Sequence, residues 1–171
     1  MSRSSVLLIM VWAAVAWRTD AAEELWRFET PLGNFDSSPA LADMNGDGRQ
    51  DIIATTVSGS VVVVDSAGRE IWNRSLQIPI SLPPTVIDLV EDEQPEILVL
   101  NQSGTVFCLA GQNGDTIWKY DLPSETEWGT TAIVTCDLNG DGRREVVTGD
   151  SAGHVDCISA AGEGMWQYNG G

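Results

Sequence analysis

Two nine-residue stretches carry the oxygen ligands of a hard cation. Asp43-Met44-Asn45-Gly46-Asp47-Gly48-Arg49-Gln50-Asp51 and Asp137-Leu138-Asn139-Gly140-Asp141-Gly142-Arg143-Arg144-Glu145 each place side-chain oxygens at positions 1, 3, 5 and 9. A calcium ion takes about six to eight oxygens, and carboxylate-rich all-oxygen ligation favours it over magnesium or zinc. Gly48 and Gly142 permit the sharp turn. The backbone carbonyls of Arg49 and Arg143 can add a ligand, and Asp51 or Glu145 closes the site. The EF-hand is excluded: it needs Glu at position 12, where this chain has Ala54 and Thr148, and helices on both sides. An Asp/Asn/Gly turn without metal is the alternative, and two loops at equivalent places weigh against it. A third stretch, Asp88 to Glu96, is degenerate: Val90 replaces a ligand and Glu93 replaces the turn Gly.

Other reactive groups are sparse. His154 is the single histidine, and no Ser/His/Asp grouping follows from spacing. The three cysteines, Cys108, Cys136 and Cys157, have no C-x-x-C spacing, so a zinc or redox centre is not supported. Cys108 and Cys157 fall at matching repeat positions and read as small buried strand residues, with a Cys108–Cys136 or Cys136–Cys157 bridge as the alternative. The net charge of −16 argues against a nucleic-acid partner, which would need clustered Lys and Arg.

The loops recur because the whole chain recurs. Trp26, Trp72, Trp118 and Trp166 are separated by 46, 46 and 48 residues, and Gly68, Gly114 and Gly162 stand four residues before the last three. Gly59, Gly104 and Gly153 open apolar runs, and Asp43, Asp88 and Asp137 form the third series. This period suits a four-stranded propeller blade. Four strands are predicted per repeat. In the first they are Pro39–Asp43, Asp51–Val57, Ser60–Asp65 and Glu70–Arg74. In the second they are Thr85–Asp88, Glu96–Leu100, Thr105–Leu109 and Thr116–Tyr120. In the third they are Thr131–Asp137, Glu145–Gly149, His154–Ser159 and Gly164–Tyr168. The fold class is thus all-β: about three blades of four-stranded antiparallel sheet plus one extra strand, Glu24–Glu29, a partial propeller. The predicted organisation is a signal peptide at 1–22, strand d of a preceding blade and a link at 23–36, then blades at 37–76, 77–122 and 123–171. The four tryptophans read as core residues between blades.

Residues 1–22 have the pattern of a secretory signal: Arg3, an apolar run from Val6 to about Ala14, and small-residue cleavage sites near Ala16 and Ala21. A membrane anchor is the alternative reading. The expected location is secreted, periplasmic or cell surface, with no membrane span after signal cleavage.

The motif Phe35…Ser38-Pro39-Ala40-Leu41-Ala42-Asp43-x-Asn45-x-Asp47-Gly48 resembles the FG-GAP repeat of integrin α-chain propellers and their bacterial relatives (VCBS-type repeats). Trp128-Gly129…Asp137 to Gly142 looks like a second copy. Gly104 to Leu109 with Gly114 to Trp118 is similar to the repeat of pyrroloquinoline-quinone-type propellers. The resemblance implies calcium between strands a and b, held by Asp43, Asn45, Asp47, the Arg49 carbonyl and Asp51. In the third repeat the ligands would be Asp137, Asn139, Asp141, the Arg143 carbonyl and Glu145. It also implies partner docking on the opposite face, with Trp128 as candidate contact, or alternatively as an inter-blade core residue.

The function expected is a non-catalytic, calcium-binding scaffold for an unknown protein or glycan, with association with further blades as a way to complete the ring. One alternative is the propeller part of a quinone-dependent dehydrogenase or a polysaccharide lyase, although the adjacent cysteines of the quinone enzymes are missing. Another is a truncated propeller with no independent function.

Overall fold

The computed structural model describes residues 24–123 and 131–170, together with the backbone of residues 5–7. The described chain is all-β. Ser5–Leu7 (β1) pairs antiparallel with Phe28–Thr30 (β2). Three four-stranded antiparallel sheets follow, each with its strands in chain order. The first blade is Ala40–Ala42 (β3), Asp51–Thr55 (β4), Ser60–Val64 (β5) and Glu70–Ser75 (β6). The second is Thr85–Ile87 (β7), Glu96–Leu100 (β8), Thr105–Ala110 (β9) and Thr116–Asp121 (β10). The third is Val134–Cys136 (β11), Glu145–Gly149 (β12), His154–Ile158 (β13) and Gly164–Asn169 (β14).

Strands β4, β5 and β8 are buried at every residue. Such unbroken apolar runs are what a sheet covered on both faces requires. Ile53, Val61 and Val63 of the first blade pack with Ile97, Val99 and Leu109 of the second. Leu98, Leu100, Val106 and Cys108 leave the other side of the second blade to meet Val146 and Ile158 of the third. Each such side chain contributes about 1.5–3 kcal/mol when fully buried, so the stack of sheets is the core. In β12 and β13 burial is interrupted, because one face of the third blade has no neighbour among the described residues.

Each interface carries the same lock. Trp72 donates its indole N–H to the Gly111 carbonyl at 2.7 Å, and Trp118 donates to Ala160 at 2.9 Å. Trp26 donates to Ser66 at 3.1 Å. The rings lie on Gly68, Gly114 and Gly162, where an added Cβ would come within 2.7–2.8 Å of ring carbons. Those glycines also have φ of 80°, 73° and 82°, so space and backbone both exclude a side chain there.

Several expectations shift in detail. The extra strand lies at Phe28–Thr30 rather than Glu24–Glu29, and Trp26 precedes it. The first strands of the blades are only three residues long, because their ends bend into the acidic loops. The cysteines keep the expected reading: all three are free thiols, and Cys108 and Cys157 are buried strand residues. Burial, with the nearby Glu96 charge, pushes the Cys108 thiol up to about 12. No helix among the described residues is long and apolar enough to cross a membrane.

Candidate metal centres

The first acidic loop is folded by its own carboxylates. Asp43 Oδ1 accepts the amides of Gly46 and Asp47 at 2.7 and 3.1 Å, and Oδ2 accepts Gly48 at 2.7 Å. Asn45 Oδ1 accepts the Asp47 amide at 2.9 Å, and Asp47 Oδ1 accepts that of Arg49 at 2.9 Å. These bonds, led by that of Gly48, hold the Asp43 carboxyl below its usual range.

The carboxylate at position 9 has a role that spacing did not reveal. Asp51 Oδ2 accepts the Met44 amide at 3.0 Å, tying the start of β4 to the end of β3. Glu96 Oε2 accepts Leu89 at 2.7 Å, and Glu145 Oε2 accepts Leu138 at 2.8 Å, in the same way. Asp51 is fully buried, and its Oδ1 has no hydrogen-bond partner. Burial raises the Asp51 pKa, and the charges of Asp47, Asp43 and Asp65 raise it further. A buried carboxylate oxygen with no donor, beside other carboxylates, fits a cation.

The third loop repeats the pattern. Asp137 accepts Gly140 and Gly142 at 2.7 and 3.0 Å, Asn139 Oδ1 accepts Asp141 at 2.8 Å, and Asp141 Oδ1 accepts Arg143 at 2.8 Å. The Arg143 amide, and then the Asn139 side chain, hold the Asp141 carboxyl below its usual range. Asn139 Nδ2 bridges Asp141 Oδ2 and Glu145 Oε1 at 3.0 and 3.2 Å, so an amide group joins two carboxylates. Asn139, Asp141, Arg143 and Glu145 line one cavity of about 220 Å³, together with Glu163. Sequence reasoning missed Glu163, which follows the lock glycine Gly162 and reaches this cavity through the fold. Among the described residues, no three Asp, Glu, His or Cys side chains converge as a ready-made metal cage. The loops therefore present carboxylate and amide oxygens from a folded turn rather than a closed cage. Trp128 lies outside the described residues.

The second loop keeps the turn by other means. Asp88 accepts the amides of Asp92 and Glu93 at 3.2 and 3.1 Å, and Asp92 accepts Gln94 at 2.9 Å. Glu91 and Glu93 stand where the other loops have glycine, with φ of 61° and 66°. Burial raises the Glu96 pKa, opposed by the Leu89 and Val90 amides.

The lone histidine, His154, is half-buried. Its Nδ1 lies 2.7 Å from Asp150 Oδ2 in the turn between β12 and β13.

The FG-GAP-like repeat family matches residues 88–148, from the second loop through the third. No curated protein sequence matches the chain. Among solved structures, BamB from Moraxella catarrhalis matches with TM-score 0.63 at 18% identity, over 85% of this chain and 39% of that one. BBS1N in complex with ARL6DN matches with TM-score 0.63 at 15% identity, over 84% of this chain and 43% of that one. The quinohemoprotein alcohol dehydrogenase of Comamonas testosteroni matches with TM-score 0.54 at 15% identity, over 81% of this chain and 21% of that one. The chain thus spans less than half the length of each of these three structures. Its three stacked sheets and these matches agree on the fold: the described residues form blades of a β-propeller, with an FG-GAP-like repeat matched at residues 88–148.

Proposed function

We propose that the chain is a secreted, non-catalytic β-propeller scaffold that binds calcium in its first and third acidic loops and presents its opposite face to a protein or glycan. The observation that carries the calcium reading is the buried Asp51 Oδ1, which has no donor and sits among like charges. Calcium bound to Asp43, Asn45, Asp47, the Arg49 carbonyl and Asp51 would satisfy that oxygen. The corresponding set in the third loop is Asp137, Asn139, Asp141, the Arg143 carbonyl and Glu145. In this reading the ion supplies charge neutralisation and rigidity, and the residues supply the turn. BBS1N, of the same fold, is known in complex with ARL6DN, which supports a protein as the partner class. Trp128 is the contact residue we propose.

Calcium at about one hundredfold above Kd is expected to raise the melting temperature of the chelator-treated protein by roughly 5–10 °C. A melting temperature equal in calcium and in chelator overturns the calcium reading.

A further inference from the structure

We propose that the two calcium loops fill in a fixed order, the first before the third, because the side-chain amide of Asn139 plugs the third loop and nothing plugs the first. This rests on the calcium reading above and adds to it how each loop is controlled.

The loops differ at position 9, where the first has Asp51 and the third has Glu145. Both acids are buried, and both use one oxygen to accept the amide at position 2: Asp51 Oδ2 takes Met44 at 3.0 Å, and Glu145 Oε2 takes Leu138 at 2.8 Å. The other oxygen separates them. Asp51 Oδ1 has no hydrogen-bond partner, and the charges of Asp47, Asp43 and Asp65 all bear on that carboxylate. Glu145 Oε1 accepts Asn139 Nδ2 at 3.2 Å, and the same nitrogen donates to Asp141 Oδ2 at 3.0 Å. Glutamate is one methylene longer than aspartate, and that length brings its second oxygen to the amide at position 3.

The partners of Asn139 fix which way its amide points. Its Oδ1 accepts the Asp141 amide at 2.8 Å. Turned over, it would set an oxygen against two carboxylates and an NH2 group against an N–H donor. As placed, the NH2 group donates to both acids and holds them together, with charge-assisted bonds. It brings no net charge, so the two acids stay uncompensated and still attract a cation. Asn139 has to leave Asp141 and Glu145 before both can serve as ligands. The apparent affinity of the third loop is then reduced by the fraction of molecules in which the plug is open, and a plug open about one-tenth of the time weakens binding about tenfold. In the first loop the buried Asp51 Oδ1 has nothing to displace. Both Asn139 bonds lie within the third loop itself, so they do not depend on what covers the outer face of its sheet.

Equilibrium dialysis of the chelator-treated full chain against calcium is expected to show a tight and a weak step, at least about tenfold apart in Kd. Exchanging the acids at position 9 keeps the charge and should move the steps in opposite directions. Glu145→Asp shortens the arm and frees Asn139, and should tighten the weak step about tenfold. Asp51→Glu lengthens the arm toward Asn45 and should weaken the tight step by a similar factor. Nuclear magnetic resonance of the unmutated chain gives a readout independent of how the variants fold. In chelator the side-chain amide protons of Asn139 should exchange with water more slowly than those of Asn45, and they should lose that protection over the weak step. Two equal steps, one bound ion only, either exchange leaving its step in place, or an Asn139 amide no better protected than that of Asn45 would each overturn the plug while leaving a calcium-binding chain. No bound calcium at any concentration would overturn the plug and the calcium reading together.

Discussion

The loops at Asp43 and Asp88 fold the same turn from different residues. Both use an Asp at position 1 to collect backbone amides and an acid at position 9 to cap the amide at position 2. They differ in what is left over. The first loop has glycines at its left-handed positions and ends with a bare buried oxygen on Asp51. The second has Glu91 and Glu93 at those positions, and the two amides of Leu89 and Val90 share one oxygen of Glu96. The turn is therefore the property of the hydrogen-bonded carboxylates, and in the reading proposed above the capacity for a cation is a separate property that the second loop lacks while keeping the turn.

The strongest way to break this separation is Glu96→Ala. It leaves the Leu89 amide buried without an acceptor and is expected to cost about 2–3 kcal/mol. Chemical denaturation should give the same loss with calcium as with chelator; a calcium-dependent loss would mean that the second loop is also a metal site. Asp51→Asn should behave in the opposite manner. It keeps an acceptor for Met44 and removes a buried charge, so in chelator it should stabilise by about 1 kcal/mol. In calcium it removes a ligand and should destabilise, and a change of the same sign in both media would sink the distinction. Glu93→Gly relieves a left-handed Glu at the expense of a more flexible unfolded chain, with an expected net gain of about 0.5–1 kcal/mol. Gly48→Ala, at the equivalent place in the first loop, should lose stability, and equal effects at the two positions would contradict the backbone argument.

The smallest effect extends the comparison to the third blade. Asp156 is 1% exposed, accepts from Gln167, and occupies the position that Val62 and Phe107 hold in the other repeats. Burial raises its pKa. The Gln167 hydrogen bond opposes that rise, Asp150 adds to it, and His154 opposes it. The folded chain therefore keeps this proton to higher pH than the unfolded chain does. Stability contributed by the site falls as pH rises from the ordinary carboxylate value through the raised one. Asp156→Asn should raise the melting temperature by about 2 °C at neutral pH and have little effect below about pH 4. An advantage that grows on acidification would reverse the sign of the argument.

Much of the architecture was legible because it repeats. Trp, Gly and Asp series at one period identified blades, and the β-branched runs at Asp51–Thr55 and Ser60–Val64 identified buried strands. The spacing of the acidic loops suggested ligands, and the position-9 carboxylates are where that reading fell short. A carboxylate that accepts an amide seven residues away in sequence looks the same on paper as one that meets an ion. Glu93 was seen to replace a turn Gly, but nothing in a glutamate itself signals that Glu91 and Glu93 keep the left-handed backbone of the glycines they replace. Asp156, inside the predicted strand His154–Ser159, carries no mark in the sequence of its burial beneath Gln167. Glu163 joins the third loop only through the turn that follows β13.

The position of the tryptophan locks sets the boundaries of a transferable cassette. Both halves of one lock, Trp72 with Gly111 and Gly114, lie inside a single stretch from Glu70 to Asp115, as does the Arg74–Asp115 ion pair at 3.6 Å. That stretch starts on the outer strand of one sheet and ends in a turn of the next. A recombination that cuts there moves an intact junction, whereas a cut at the borders of a sheet separates a ring from the glycine that receives it. The natural module for grafting or duplication is thus offset by one strand from the sheet that the eye picks out.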